Sequence, residues 1–251
     1  MKVFRADLHI HTVLSPCGDL EMSPRNIVEE AARKKLDLIG ITDHNSTRQA
    51  EVVRQLAHQR GIAVLTGAEV TTREEVHCLA FLPDEESRRL FQHFLDEQLP
   101  VIPNSEGRFG YQALVDASDN ILELEERLLI TGLQAGIGEV EQEVHRLGGL
   151  FIPAHIDRSV NSIFSQLGFI PPGLHFEALE ITRFVSEEKA RQRFGIAKEV
   201  TLTASSDAHY PQDIGAACSL FYMHDLSFAE IRLALLGRDG RKVMPQPKEN
   251  R

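Results

Sequence analysis

Several imidazole and carboxylate side chains of this 251-residue sequence recur at spacings that suit metal coordination. His9 and His11 stand one residue apart in "DLHIHT". If that stretch is a strand, alternation of side chains turns both rings to one face. Asp43 and His44 adjoin in "ITDHN", Glu69 lies in "GAEVTT", His77 in "EEVHCLAFL", His155 closes "FIPAH", and Asp207 and His209 close "TASSDAH". Neutral imidazole and carboxylate oxygen are ligands for divalent first-row metals. Each residue alone has an ordinary explanation: a hydrogen-bonded core histidine, a helix cap at Asp43, an edge charge at Glu69. Six strand ends delivering such groups to one rim would be a costly accumulation of buried polarity without a shared partner, and a metal is that partner.

The elements that position them alternate. "MKVFRADLHI" reads as a strand and "SPRNIVEEAARKKL" as a helix, with Ser23 as N-cap, Pro24 at the first turn and Ile27, Val28, Ala31, Ala32 and Leu36 at helical spacing. "LDLIGITD" is a buried strand, "STRQAEVVRQLAHQRG" a helix stopped by Gly61, "IAVLTGAEVTT" and "EEVHCLAFL" further strands. In the middle, "DEESRRLFQHFLDEQL", "ILELEERLLI" and "EVEQEVHRLGG" read as helices and "PVIPNSEGRFG" as a loop. Alternation returns with strands "LFIPAH", "FEALEIT" and "VTLTASSD" around helices near "NSIFSQLG" and "SEEKARQRFG", then strand "ACSLFYM" and helix "SFAEIRLALLG". The tail "KVMPQPKENR" reads as frayed. Repeated strand–helix units imply a mostly parallel α/β sheet, open or closed. No glycine fingerprint follows the first strand, and polar residues gather at strand C-termini, where barrel sites are built; a barrel is favoured.

Composition sets bounds. The net charge of −10 gives no general attraction for a nucleic-acid backbone, and 6% aromatics without Trp disfavour a long nucleic-acid groove. Cys17, Cys78 and Cys218 are too few and scattered for a disulfide framework, and no apolar run approaches a membrane span, so a cytoplasmic protein is the expectation. His58, His93, His145, His175 and His224 sit in helical or turn-like surroundings outside the rim set.

The stretch "DLHIHTVLSPCGDLEMSPRNIVEEAARKKLDLIGITDHNST" closely resembles the opening of PHP-domain proteins, the polymerase and histidinol phosphatase superfamily. The resemblance covers residues 1–83 and 148–223 and carries the order His9-x-His11, Asp43-His44-Asn45, Glu69, His77, His155, Asp207-x-His209. It implies a single PHP domain over 1–251: a distorted (β/α)7 TIM-like barrel with its metal site at the C-terminal ends of the strands. Residues 84–147 would be a helical insertion or lid. Two or three divalent ions (zinc, manganese or iron) are implied. His9, His11, Glu69 and Asp207 would hold one; Glu69 would bridge to a second held by His77 and His155. His44 and His209 would hold a third, completed from the loop "VLSPCGDLEM" by Cys17 or Asp19. Here the chain departs from many relatives, which place His or Asp in that loop. Cys17 as ligand would suit zinc or iron, Asp19 manganese.

The expected activity is hydrolysis of a phosphate ester by hydroxide activated between the cations, with Glu69, Asp207 and His209 at the catalytic centre. Asp7 and Asp43 are expected to orient imidazoles by accepting their second N–H. Arg158 and Arg183, just past strand ends, are expected to grip the phosphate, with Arg108 on a covering loop as a weaker third. The partner would be a small phosphorylated substrate, including nucleotides or short oligonucleotides. Rivals are a nuclease or nucleotide phosphatase, a histidinol-phosphate-type phosphatase, an amidohydrolase-type barrel and a non-catalytic metal-binding module. No lysine stands at a mid-chain strand end, which disfavours the amidohydrolase type.

Overall fold

The computed structural model describes residues 1–247. Its strands are β1 (Lys2–Ile10), β2 (Leu38–Ile41), β3 (Ala63–Thr71), β4 (His77–Leu82), β5 (Ala113–Val115), β6 (Ile121–Leu124), β7 (Leu150–Pro153), β8 (Leu179–Ile181), β9 (Leu202–Ala204), β10 (Cys218–Met223) and β11 (Lys242–Gln246). Its helices are α1 (Pro24–Arg33), α2 (Ala50–His58), α3 (Glu85–Gln98), α4 (Glu106–Phe109), α5 (Ile137–Arg146), α6 (Ile163–Gln166), α7 (Glu187–Phe194) and α8 (Phe228–Leu235).

Seven strands form one sheet in the order β11-β10-β1-β2-β3-β4-β7, and β8 pairs with β9. Ile156 N donates to Glu180 O at 2.8 Å, joining β7 to β8. Ala208, beyond β9, bridges to Ile10 of β1, and His11 N donates to Ala208 O at 3.0 Å. The staves β1-β2-β3-β4-β7-β8-β9 thus close on themselves as an α/β, TIM-like barrel, with β10 and β11 extending outward from β1. Gly40 lets β2 approach β1: a Cβ there would collide with Leu8 O.

Pairing within the large sheet is mixed. β1–β2 and β2–β3 are parallel, whereas β3–β4, β4–β7, β1–β10 and β10–β11 are antiparallel. For β4 the cause is local: β3 returns directly into it through the turn at 72–76, with no crossover helix to restore direction. Three element expectations are corrected. The stretch "ILELEERLLI" is not helical; Ile121–Leu124 is β6, paired with β5 as a hairpin, and Glu123 accepts from Arg48, just before α2. The tail is ordered as β11 through Gln246, and residues 248–251 lie outside the described residues. His77 stands at the start of its strand, not the end, because β4 runs backwards through the barrel.

Packing follows the apolar spacing. α1 and α2 lay Ile27, Val28, Ala31, Val53 and Ala57 against Ile39 and Ile41 of β2. α3 and α5 lay Phe91, Leu95, Val140 and Val144 against Ala80 and Phe151. α8 closes the sheet beside Leu8, Leu38 and Phe221 through Ile231, Ala234 and Leu235. Among the described residues no helix is long and apolar enough to cross a membrane.

Candidate metal centre

All the rim residues read from the sequence converge at one mouth of the barrel. His9 and His11 project from the end of β1 and just beyond, and their Nε2 atoms approach to 3.2 Å. Glu69, near the end of β3, lies between the rings: its Oε1 is 3.3 Å from His9 Nε2, 2.8 Å from His77 Nδ1 and 3.0 Å from His155 Nε2. Its Oε2 is 3.3 Å from His11 Nε2 and 3.2 Å from His44 Nδ1. Asp207 Oδ1 comes within 3.5 Å of His9 Nε2 and 3.4 Å of His11 Nε2. Three groupings have ligand atoms within 4.8 Å of one another: His9, His11 and Glu69; His44, Glu69 and His77; His11, Cys17, His44 and His209.

Backbone strain accompanies this convergence. Asn45 (φ 47°), His155 (φ 29°) and Asp207 (φ 52°) all sit in the left-handed region, which non-glycine residues avoid. Asn45 earns its place in the signature structurally. Its Nδ2 donates to Leu129 O at 2.7 Å and Thr131 O at 2.8 Å, while its Oδ1 accepts from Thr71 N at 3.0 Å.

Hydrogen bonds fix which ring nitrogens face the centre. His9 Nδ1 lies 3.0 Å from Glu180 Oε2, a carboxylate that only accepts, so Nδ1 carries the proton. Ser15 Oγ donates to Asp43 Oδ1 at 2.7 Å and therefore accepts from His11 Nδ1 at 2.9 Å. Both Nε2 atoms are left with lone pairs facing each other and the Glu69 carboxylate. Buried His44 Nδ1 has no hydrogen-bond partner among the described residues. Lone pairs and carboxylates converging in a buried space repel unless a cation stands among them, so the donor set fits divalent metal ions.

Without a cation, protons do part of that work. Burial opposes charge on His9, but the Glu180, Glu69 and Asp207 carboxylates outweigh it and raise its pKa well above the ordinary value. Burial likewise opposes charge on His11, yet hydrogen bonds to Asp207 and Glu69 raise it to about 8. Burial lowers His209 to about 4, helped by the charge on His11, and holds His44 well below the usual range. Glu69 and Asp207 are held well below the carboxylate range despite burial: Glu69 by His77, His9 and His44, Asp207 by His9 and His11.

The positioning groups differ from those expected. Asp7 touches no imidazole; it accepts from Ser206 N at 2.9 Å and Gly215 N at 2.8 Å, tying β1 to the loop after β9. Burial raises its pKa to about 6. Asp43 neither caps α2 nor meets a ring. It accepts from Thr12 N at 2.7 Å and acts on His11 only through Ser15. The carboxylate that does orient an imidazole is Glu180, which the sequence reading passed over. Its signal was available: one acid between Leu179 and Ile181 in a buried strand. In the first loop, Cys17 joins a ligand grouping and Asp19 does not; Asp19 Oδ1 accepts from Glu21 N at 2.8 Å, shaping its own turn. Asp19 N donates to His209 O at 2.9 Å, fastening the loop beside its partner histidine.

A cavity of about 460 Å³ opens beside the cluster, lined among others by His155, Arg158, Glu180, Arg183, Arg193 and Asp207. Arg158 Nη1 lies 3.0 Å from Asp207 Oδ2, and Arg183 Nη1 lies 2.9 Å from Asp213 Oδ1. Arg193, from α7, is a third guanidinium that the sequence reading did not single out. Arg108 does not line this cavity; its guanidinium stacks on Phe109, 5.2 Å from the ring centre.

Comparison with known proteins gives this geometry a lineage. The family model described as PHP domain matches residues 7–158. The Bacillus subtilis protein YqxK, itself uncharacterized, is 26% identical over 279 aligned positions, covering 97% of this chain and 65% of its own length. The lesion-specific endonuclease EndoQ from Pyrococcus furiosus superposes with a TM-score of 0.71 at 20% identity, covering 97% of this chain and 58% of that one. A two-domain Bacteroides vulgatus protein containing a predicted PHP-like metal-dependent phosphoesterase superposes at 0.59 and 19% identity, over 98% of this chain and 65% of the other. This chain therefore spans less than two thirds of the length of each of these three proteins. With a family model matching more than half of it, the chain belongs to the PHP domain family.

Proposed function

We propose that the chain is a metal-dependent phosphoesterase. The observation that carries this reading is the pair of facing Nε2 lone pairs on His9 and His11, with Glu69 between them, beside a cavity lined by three guanidiniums. His9, His11, Glu69 and Asp207 would hold one ion; Glu69, His77 and His155 a second; His44, His209 and Cys17 would hold a third. Such ions supply a hydroxide nucleophile near neutral pH and neutralise charge developing on the phosphoryl oxygens.

The protein's own groups do the remainder. Glu69 spaces the imidazoles from both of its oxygens. Neutral His209 keeps a lone pair available at pH 7. With a cation held beside Asp207, Arg158 would no longer be needed to balance that charge and, with Arg183 and Arg193, would be free to bind phosphate oxygens. Thiolate and imidazole together at the third position favour zinc or iron over magnesium.

A second reading, a nuclease or nucleotide phosphatase acting on nucleotides or short oligonucleotides, has its own support. Phe184 is 68% exposed at the cavity and carries the Arg183 guanidinium 5.1 Å from its ring centre, a surface on which a base can stack. The similarity to an endonuclease agrees with it. The test is elemental analysis of the purified protein, then a panel of aryl phosphates, nucleotides and short oligonucleotides, before and after metal stripping and return. Metal-dependent turnover lost in His9→Ala and Glu69→Ala is expected. Unchanged metal content and turnover in those variants would end the proposal.

A further inference from the structure

The loops after β7 and β8 run side by side at the cavity, and one side chain ties them together. Main-chain pairing carries the contact as far as Ile156 N, which donates to Glu180 O at 2.8 Å. There the first chain bends away: His155 has φ 29°, and Arg158 N turns back to His155 O at 2.9 Å. The Asp157 carboxylate continues the ladder in place of a carbonyl. Its Oδ1 accepts from Thr182 N at 2.8 Å and its Oδ2 from Thr182 Oγ1. Having given its proton to Asp157, the Thr182 hydroxyl accepts from Phe184 N at 3.2 Å. Arg158 directly follows one member of the Asp157–Thr182 pair and Arg183 the other. All five residues line the cavity.

We propose that Asp157 is a positioning residue that holds Arg158 and Arg183 at the spacing needed to grip one phosphoryl group. This deepens the phosphoesterase reading and rests on it. In a cavity with three guanidiniums, an unengaged acid would pair with an arginine and withdraw it from an anionic substrate. Asp157 does not. Each of its oxygens is engaged by Thr182, and the guanidiniums of Arg158 and Arg183 lie against Asp207 and Asp213 instead. A charged acceptor makes stronger hydrogen bonds than a neutral one, which suits a link that joins two loops where their main chains part. Long arginine side chains are placed only as well as the backbone that carries them. A displacement of about 1 Å at a group that orients substrate can cost a reaction about 100-fold.

The experiment uses the full, metal-loaded chain. Asp157→Ala, Asp157→Asn, Thr182→Val and Thr182→Ser are each checked by thermal melting and metal content. Steady-state kinetics with phenyl phosphate gives KM and kcat separately, and calorimetry gives the affinity for inorganic phosphate. Asp157→Ala is expected to raise KM and weaken phosphate binding by about tenfold, as loss of a charged hydrogen-bond acceptor would, with kcat changed by less than about threefold and metal content unchanged. Thr182→Val makes the same comparison with the carboxylate kept, and about threefold is expected. Asp157→Asn keeps an oxygen for Thr182 N, and Thr182→Ser keeps the hydroxyl, so each is expected to stand nearer the wild type than the other substitution at its position. With Arg158 and Arg183 already replaced by Ala, Asp157→Ala is expected to add less than about twofold, because residues that act through one another are not additive. The full loss in that background, or a KM and phosphate affinity unmoved by Asp157→Ala, overturns the proposal. So does a fall in kcat at constant KM with the alkaline limb of the pH profile removed, which would make Asp157 a proton donor. Hydrolysis of phenyl phosphate that is indifferent to these substitutions would sink the clamp alone. Phosphate binding that responds to them, in a chain that hydrolyses no ester, would sink the phosphoesterase reading and leave the clamp standing.

Discussion

Glu180 accepts the Nδ1–H of His9 across 3.0 Å and, with the same oxygen, the backbone N–H of His155. One carboxylate thereby sets the tautomer of one candidate ligand and the backbone placement of another, 146 residues further along the chain by sequence order. Carboxylates that orient ligating histidines typically matter by 10- to 100-fold in metal affinity or activity. Glu180→Gln keeps an acceptor but loses the charge, and is expected to weaken metal binding by about 10-fold; Glu180→Ala loses both, and is expected to cost about 100-fold. A competition titration with a chromophoric chelator measures this. Equal affinity in all three proteins would remove Glu180 from the positioning role.

Metal uptake should be linked to pH with a definite sign. His11 has its pKa raised from 6.5 to about 8 in the metal-free fold. Its proton therefore stabilises that fold fully below pH 6.5, and the contribution is lost as pH rises through about 8. A cation must displace the same proton. The melting-temperature gap between metal-loaded and metal-free protein is expected to widen from pH 6 to pH 8.5. A constant gap over that range would contradict the assignment of His11 Nε2 as a ligand atom.

Cys17 and Asp19 compete in sequence for one place and part in structure. Cys17→Ser should lower the affinity or stoichiometry for zinc at the third position, whereas Asp19→Asn should leave zinc stoichiometry as it is and only loosen the turn at Glu21. Elemental analysis after dialysis against limiting chelator distinguishes them. Zinc loss in Asp19→Asn alone would reverse the assignment.

Arg158 pairs with Asp207 and lines the cavity, and the proposed function would give it a part in substrate capture. Arg158→Ala is expected to raise KM for a phosphate ester by about 10-fold, from loss of a charge-assisted pair, with a smaller change in kcat. A KM that does not move would argue for a purely structural ion pair.

Asn45 supports the rim rather than the chemistry. Replacing it by Ala leaves two carbonyls and one N–H without their partner, at a cost of about 2–4 kcal/mol. For a chain of this size that corresponds to a drop in Tm of roughly 4–16 °C. Denaturation of Asn45→Ala against wild type tests it, and a shift under 1 °C would show that the contacts carry no net stability.

The residues that face the centre were legible because their types are rare together in buried strands: His9-x-His11, Glu69, His155 and Asp207-x-His209 announce themselves wherever the backbone takes them. What surrounds them was less so. Glu180 reads like any acid until β8 is seen to run beside β7. Asp7 and Asp43 looked like ring partners because they adjoin ring-bearing stretches, yet their oxygens go to backbone N–H groups and hydroxyls. The strand β6 was misread because Ile121, Leu122 and Leu124 are apolar and flanked by glutamates, a mixture equally at home on a helix face; pairing with β5 decides the matter, and pairing is not a local property. The reversal of β4 was hidden for the same reason, since a short turn and a short crossover look alike in apolar spacing.

That reversal has a consequence for how the centre comes into being. Because β3 turns straight into β4, Glu69 and His77 are joined by closing a loop of only a few residues, an inexpensive step in chain entropy. His155 and Asp207 must be gathered from the far half of the polypeptide, where closure is slower and contact order higher. A hairpin already bearing a carboxylate and an imidazole within hydrogen-bond reach offers a nascent chain a foothold for a cation before the barrel has shut.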